Sequence, residues 1–380
     1  LKKIAIISSH PIQYNAPLFA LIAKEAEIEL KVFYTWGEDS IKEKFDPDFQ
    51  QHIKWDIPLL EGYKYQFLKN TSKHPGSHHF KGIINLDLNN EIEKWGADIV
   101  WVWGWSFESH LKALRFFKGK KEVWFRGDST LLDESSGFGI KKIIRRVFLT
   151  WVYRHVDKAF YVGTHNKAYF MKHGLKANQL IYAPHAVDNN RFTDPTGKHR
   201  KQAKEIRIQL GIPEKRKLLL YVGKFEPNKN LMELINAIND TDFNLLLVGN
   251  GPEEKILKQS ASENIFFMPF QNQSNMPIIY RVGDALVLNS KSETWGLAIN
   301  EALACGIPVI ASNKCGGAID LLDGGSGVVI KTIKKNTIED AMMFISTNDF
   351  TSQFENERLK TIEEHSYPTI LGYLLKQLRK

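Results

Sequence analysis

The stretch ETWGLAINE, Glu293 to Glu301, runs directly into ALACGIPVIAS, residues 302–312. ALVLNS (285–290) stands before it, a short apolar run of the length a buried strand needs. SETWG then turns the chain. From Gly296 or Leu297 to about Ala304 the residues suit a helix, and IPVIAS (307–312) reads as the next strand. Glu293 then stands just ahead of the helix, and Glu301 lies more than one turn inside it. At a rise of about 1.5 Å per residue, the two carboxylates are about 10 Å apart. Between them lie the unbonded N–H groups of a helix start, which form an anion site. Carboxylates accept several hydrogen bonds and suit vicinal hydroxyls. Taken alone, Glu301 also fits a solvated helix face.

The surrounding sequence repeats this alternation. KLLLYVGKF (217–225), FNLLLVGNGP (243–252), IFFMPF (265–270) and GVVI (327–330) read as strands, with LMELINAIN (231–239) and MPIIYRVGD (276–284) as helices. The first half offers IAIISS (4–9), LKVFYTW (30–36), ADIVWVWG (97–104), KEVWFRG (121–127), KAFYVG (158–163) and LIYAPHAVD (180–188), with helical runs between several of them. Strands alternating with helices predict two parallel sheets, each covered on both faces. Residues 194–217 hold eight Lys or Arg with Pro195, Gly197 and a short helical piece ending at LGIP, and read as a linker into the second domain. The expected domains are 1–190, 191–365 and a last amphipathic helix over 366–380.

Composition sets outer limits. The chain has 380 residues, 43% apolar and 25% charged, as in soluble globular proteins. No apolar run approaches the ~18 residues of a membrane span. The opening LKKIAIISSHPIQY begins as a strand without the layout of a signal peptide. The two cysteines, Cys305 and Cys315, sit among small and apolar residues and read as buried thiols in a reducing cytoplasm. No Cys/His spacing suggests zinc. A formal charge of +8 favours anionic partners. No nucleic-acid motif is present, so phosphate ligands and a membrane surface remain.

In parallel sheets ligands gather at the carboxyl ends of strands. In the second half these ends carry Gly223 and Lys224, Gly249-Asn250-Gly251, Phe270 and Gln271, and Ser290 to Glu293. Lys224 and Lys229 in GKFEPNKN stand where two cations would neutralise a diphosphate. Plain turns and surface lysines are the simpler reading of each feature alone.

Together these stretches resemble glycosyltransferase family 4, of the GT-B fold. GKFEPNKN, LLLVGNGP and ETWGLAINE occur in the family's order, and Glu293 and Glu301 match its E-x7-E signature. The resemblance is specific over 217–325 and covers most of the chain. It implies an α/β fold of two Rossmann-like domains facing across a cleft, with the last helix crossing back to the first domain. It implies Lys224 and Lys229 on the donor phosphates, Glu293 on the donor sugar and Glu301 on the ribose. It further implies the amides near Gly296 and Leu297 on the diphosphate, and Phe270 and Gln271 beside the base, with Gly223 and Asn250 in the same donor site. A UDP- or GDP-linked sugar, retention of configuration and no metal cofactor follow from the same resemblance.

The first half departs from the family pattern. Where many relatives have a Gly-Gly loop, SSHPIQYNAP offers His10, Gln13 and Tyr14 for the acceptor or the diphosphate. Where many have a histidine, Trp103 or Trp105 stands. FRGDST offers Arg126 and Asp128 as acceptor-side groups, or as a loop ion pair. Asp-x-Asp pairs, a common metal-binding spelling, occur at Asp46/Asp48 and Asp240/Asp242, but neither follows a strand end. GIKKIIRRVFLTWVYRH (139–155) places Ile140, Ile143, Ile144, Val147 and Trp151 on one helical face, with Lys141, Lys142, Arg145 and Arg146 off it. Such a helix lies on anionic lipid, or packs on the sheet with its charges in water. The favoured reading is a bacterial transferase of surface polysaccharide synthesis. It would be cytoplasmic or peripheral on the inner membrane face, with a glycan or lipid-linked acceptor. A sugar-nucleotide epimerase of the same fold and a non-catalytic nucleotide-sugar binder are the alternatives; measured sugar transfer separates them.

Overall fold

The computed structural model describes residues 1–41, 44–46, 49–132, 134, 139–239 and 241–380. In chain order its strands are β1 (Lys2–Ser8), β2 (Ile28–Tyr34), β3 (Lys44–Asp46), β4 (Gln51–Ile53), β5 (Lys64–Phe67), β6 (Ile99–Trp103), β7 (Glu122–Arg126), β8 (Lys158–Tyr161) and β9 (Leu180–Tyr182). They continue with β10 (Leu218–Val222), β11 (Asn244–Val248), β12 (Ile265–Met268), β13 (Ala285–Leu288), β14 (Val309–Ser312) and β15 (Gly327–Ile330). One sheet runs β5-β2-β1-β6-β7-β8-β9 and another β12-β11-β10-β13-β14-β15. Every pairing in both is parallel. β3 and β4 form a separate antiparallel hairpin.

Sequence reasoning located all the sheet strands except β5. KYQF at β5 is a short, half-exposed edge strand, so its apolar signal is weak. The chain forms two compact units. One holds Leu1–Glu43, Pro58–Pro184 and Tyr367–Lys380; the other holds Lys44–Ile57 and His185–Ser366. The last helix, Tyr367–Leu378, belongs to the first unit, where the Tyr367 hydroxyl donates to the Tyr14 carbonyl at 3.0 Å. Residues 44–57 are the departure from the 1–190 reading, because they belong to the second unit. The helical piece expected in the linker is the helix Lys198–Gln209, tied to the second unit where Arg207 donates to Asp284 at 3.2 Å.

Each sheet is buried as the continuous apolar runs require. In the first, Trp101, Trp124 and Phe160 are fully buried, their ring centroids 4.5–5.7 Å apart. Both sheets contain the point at which strand order reverses. In the first unit it lies between β1 and β6, and in the second between β10 and β13. Loops leaving neighbouring strands to opposite faces open a crevice there. The topology thereby brings together GKFEPNKN after β10 and SKSETWG after β13.

A histidine that sequence reasoning did not single out lies at the first unit's switch point. His110, in the helix Glu108–Phe117, is fully buried, bridging the Gly104 carbonyl at 2.9 Å and the Thr35 hydroxyl at 2.8 Å. Burial pushes its pKa from 6.5 down to about 4. Between those values the unfolded chain binds more protons than the folded one, so stability falls as pH falls. The loss through this window is about 3 kcal/mol. His110→Gln is expected to remove much of the slope of stability between pH 6.5 and 4 measured by denaturant unfolding. Part of the residual slope comes from His173 and His365, which burial shifts in the same direction. Near pH 4 Glu134 and Glu254 add to it, because, against the opposing effect of burial, Lys172 and Lys258 hold their carboxyls below the ordinary value. An unchanged slope would show that the ring is not a buried neutral group.

Candidate functional site

The turn after β13 is pinned to the turn after β14 by main-chain bonds. Glu293 N donates to Lys314 O at 3.0 Å and Gly316 N donates to Glu293 O at 2.9 Å. A side chain at Gly316 would place its Cβ 2.0 Å from the Thr294 carbonyl oxygen, so only glycine permits this approach. The adjacent glycines of NKCGG were the available signal for it, and sequence reasoning passed over them. Gly296, at φ 91°, then swings the chain into the helix Leu297–Ala304, and no side chain caps its start. Trp295 is buried beneath the turn and donates from Nε1 to Asn300 Oδ1 at 2.8 Å.

Lys229 reaches across the switch point and donates from Nζ to Glu293 Oε2 at 2.5 Å. Ser290 Oγ approaches the same oxygen at 3.5 Å, and Glu226 Oε1 stands 3.7 Å from the ammonium. One cation and one carboxylate from separate loops thus meet beside the start of the Leu297–Ala304 helix. Such a charge-assisted pair is ready to exchange its partners for phosphate and hydroxyl groups.

Glu301 is not on a solvated helix face. It is 3% exposed, and its Oε2 accepts from the Tyr280 hydroxyl at 2.6 Å. Burial of a carboxylate demands such a partner. Lys224 lies 3.6 Å from Asp46 Oδ1 and over the Phe49 ring. Phe49 and Trp55 pack edge-on against Phe270, with centroids 4.9 and 6.4 Å away. Asp46, Phe49 and Trp55 therefore cover part of the expected base and phosphate region. Nothing in the local sequence signals that, because β3 and β4 are far from their contacts along the chain.

The remaining donor-side residues occupy the β10–β12 strand ends. Gly249 lies so close to Gly223 that a Cβ there would be 1.9 Å from the Gly223 carbonyl oxygen, so a close approach rather than a simple turn requires it. Asn250 Oδ1 accepts from the Phe270 amide at 2.8 Å, and its Nδ2 donates to Glu254 at 2.9 Å. Gln271 is half-buried and donates to Pro269 O at 3.1 Å.

In the first unit His10 meets Ser9 Oγ at 2.9 Å and stands edge-on to Trp36. Gln13 and Tyr14 follow, both half-buried. Arg126 is 6% exposed and spends its donors on the Ala183 and Pro184 carbonyls, at 2.7 and 3.1 Å. Burial lowers its pKa to about 10, against the pull of Asp128. Arg126 ties the ends of β7 and β9 together and is buried, whereas Asp128 is exposed. Asp48 and Asp240 lie outside the described residues. Among the described residues no group of three or more His, Cys, Asp or Glu is placed to hold a metal ion. Cys305 and Cys315 are buried thiols, each pushed up to about 12 by that burial.

With this geometry in hand, the second unit can be compared with known proteins. Residues 202–364 match the family described as glycosyl transferases group 1. This segment is similar to that family of transferases. The N-acetyl-alpha-D-glucosaminyl L-malate synthase of Bacillus anthracis is 24% identical over 203 residues, 47% of this chain and 52% of that protein. The chain thus spans about half the length of this curated relative. The solved sucrose-phosphate synthase of Thermosynechococcus elongatus matches with a TM-score of 0.72 at 19% identity, covering 100% of this chain and 99% of the other. Anabaena HepE, solved with UDP and glucose, matches with a TM-score of 0.69 at 16% identity over 100% of both chains. At those identities the likeness shows the fold, two Rossmann-like sheets of the GT-B class. The glycosyl transferases group 1 segment contains Lys224, Lys229, Asn250, Phe270, Gln271, Glu293 and Glu301.

Proposed function

We propose that the protein transfers a hexose-type sugar from a nucleoside diphosphate donor to a glycan or lipid-linked acceptor, with retention and without a divalent metal. The observation that carries this reading is the Lys229–Glu293 pair beside the uncapped start of the Leu297–Ala304 helix, within a glycosyl transferases group 1 segment. Breaking the bond from the anomeric carbon to the diphosphate oxygen leaves negative charge on the phosphate. Lys224, Lys229 and the helix amides supply positive potential where that charge grows. Glu293 keeps a second carboxylate oxygen for a sugar hydroxyl. Glu301, fixed by Tyr280, faces the ribose in this reading, and Phe270 with Gln271 the base. The UDP bound by HepE makes a UDP-linked sugar the first donor to try. The family 4 assignment, retention and a role in surface polysaccharide assembly rest on the motif resemblance.

The acceptor side rests on the helix Ile140–Tyr153. Ile140, Ile144 and Val147 are 75%, 63% and 65% exposed, and Ile143 is 46% exposed. Its later turn is anchored in the core through Leu149, Val152 and Tyr153. Of the two sequence readings, packing on the sheet holds for the later turn, while the first turns leave both aliphatic and charged side chains exposed. Exposed aliphatic residues interleaved with four cations suit the interface of an anionic membrane. No helix among the described residues is long and apolar enough to cross a membrane. Such a surface would hold the protein beside a lipid-linked acceptor at the inner face of the cytoplasmic membrane.

The testing experiment is a transfer assay with candidate UDP- and GDP-sugars in excess chelator, with the product's anomeric coupling read by NMR. Transfer with retention is expected. Activity that appears only when magnesium is added, or a product of inverted configuration, overturns the mechanism.

A further inference from the structure

A second cluster of cations lies beside the switch point, outside the residues assigned above. A cavity of about 360 Å³ opens among the turns that follow β10, β13, β14 and β15. Four lysines line it: Lys291, Lys314, Lys331 and Lys334. All four are exposed, and among the described residues none of their ammonium groups has an ion-pair or hydrogen-bond partner. The lining holds one carboxylate, Glu233, which already accepts from Asn230 at 2.5 Å. Four cations against one anion leave a formal lining charge of +3.

Beside Ile333, the floor holds buried polar side chains. Asn289, Ser290 and Ser312 are 5%, 2% and 6% exposed. Like charges gathered around one concavity repel one another and focus a positive potential into it. A surface built only for solubility intersperses the two signs. The volume lies within the ~300–1,000 Å³ range of small-ligand sites. The lining also shares two turns with the candidate active site: Asn230 follows Lys229, and Lys291 stands two residues before Glu293.

We propose that this cavity binds a phosphate group, carried either by free inorganic phosphate or by a small sugar phosphate, as a site separate from the donor diphosphate. Ammonium groups on several short turns can converge on the oxygens of one dianion, and the Ser312 hydroxyl and the Asn289 amide can donate to those left over. Occupancy would neutralise repulsion next to the turn that holds Glu293.

The test titrates the full chain by calorimetry at low salt, with inorganic phosphate in one arm and a hexose phosphate in the other. UDP is titrated separately as a probe of the donor site. One-site binding is expected in at least one of the first two arms. Tighter binding of the hexose phosphate identifies an ester site, and equal binding identifies the free anion. Lys331→Gln/Lys334→Gln is expected to weaken that binding at least tenfold and to leave UDP binding within twofold. Lys291→Gln/Lys314→Gln should weaken the phosphate arm likewise. Lys229→Ala should weaken UDP and spare the cavity. All four cavity lysines are exposed, so an unchanged melting midpoint checks that the variants fold. The proposal fails if wild type binds neither probe, if both double variants bind as wild type does, or if Lys229→Ala abolishes phosphate binding. Loss of UDP binding alone counts against the transferase reading and leaves the cavity standing.

Discussion

Glutamine at position 293 is expected to lower turnover at least a hundredfold while nucleotide-sugar binding changes little. Glu293 is held in place three ways: by the main-chain bonds to Lys314 and Gly316, by Lys229 and by Ser290. None of the main-chain bonds depends on the side chain, so the turn survives the substitution. What is lost is a negative charge beside a sugar that becomes positive as its bond to phosphate breaks. Preorganised electrostatic groups at such positions typically account for about 10²–10³ in rate. Lys229 loses the nearer of its two anionic neighbours, keeps Glu226 at 3.7 Å, and remains available to the diphosphate. Glu301→Gln is expected to act in the opposite sense, mainly weakening the donor, because a ribose does not react. The amide retains an oxygen for the Tyr280 hydroxyl, whereas alanine would orphan that hydroxyl and leave a void. Steady-state kinetics with direct donor titration separates the two cases. Equal, small effects of both substitutions would remove Glu293 from the chemistry.

Binding to anionic vesicles is expected to collapse when Lys141, Lys142, Arg145 and Arg146 are all replaced by glutamine. A basic residue near an anionic surface contributes about 1 kcal/mol, so four together amount to about a thousandfold in affinity. The same loss should follow from high salt in the unaltered protein, because the screening length falls to about 3 Å at 1 M. Replacing Ile140 and Ile144 by serine should weaken binding that persists at moderate salt, since those side chains are exposed in the protein and would enter the lipid interface. The assay is sedimentation with vesicles of anionic and of neutral lipid. Equal sedimentation of the fourfold variant and the parent would return the helix to an ordinary exposed surface.

Strand positions, the parallel class of both sheets, the turn at Gly296 and the identity of the cationic and acidic residues were all legible in the sequence. Each is written in a local pattern: apolar runs of strand length, glycine at a break, charge at a strand end. The edge strand β5 was missed because a half-exposed strand of four residues carries little periodicity. Five matters were decided only in three dimensions. Strand order placed β10 beside β13, which brought Lys229 onto Glu293. The hairpin of residues 44–57 joined the second unit and set Asp46 against Lys224. Arg126 turned inward onto two carbonyls, and Glu301 was buried against Tyr280. The start of the Ile140–Tyr153 helix was left uncovered. Local patterns report which face of an element is apolar. They do not report which distant segment will cover it, or whether any will, because the packing free energy depends on partners far along the chain.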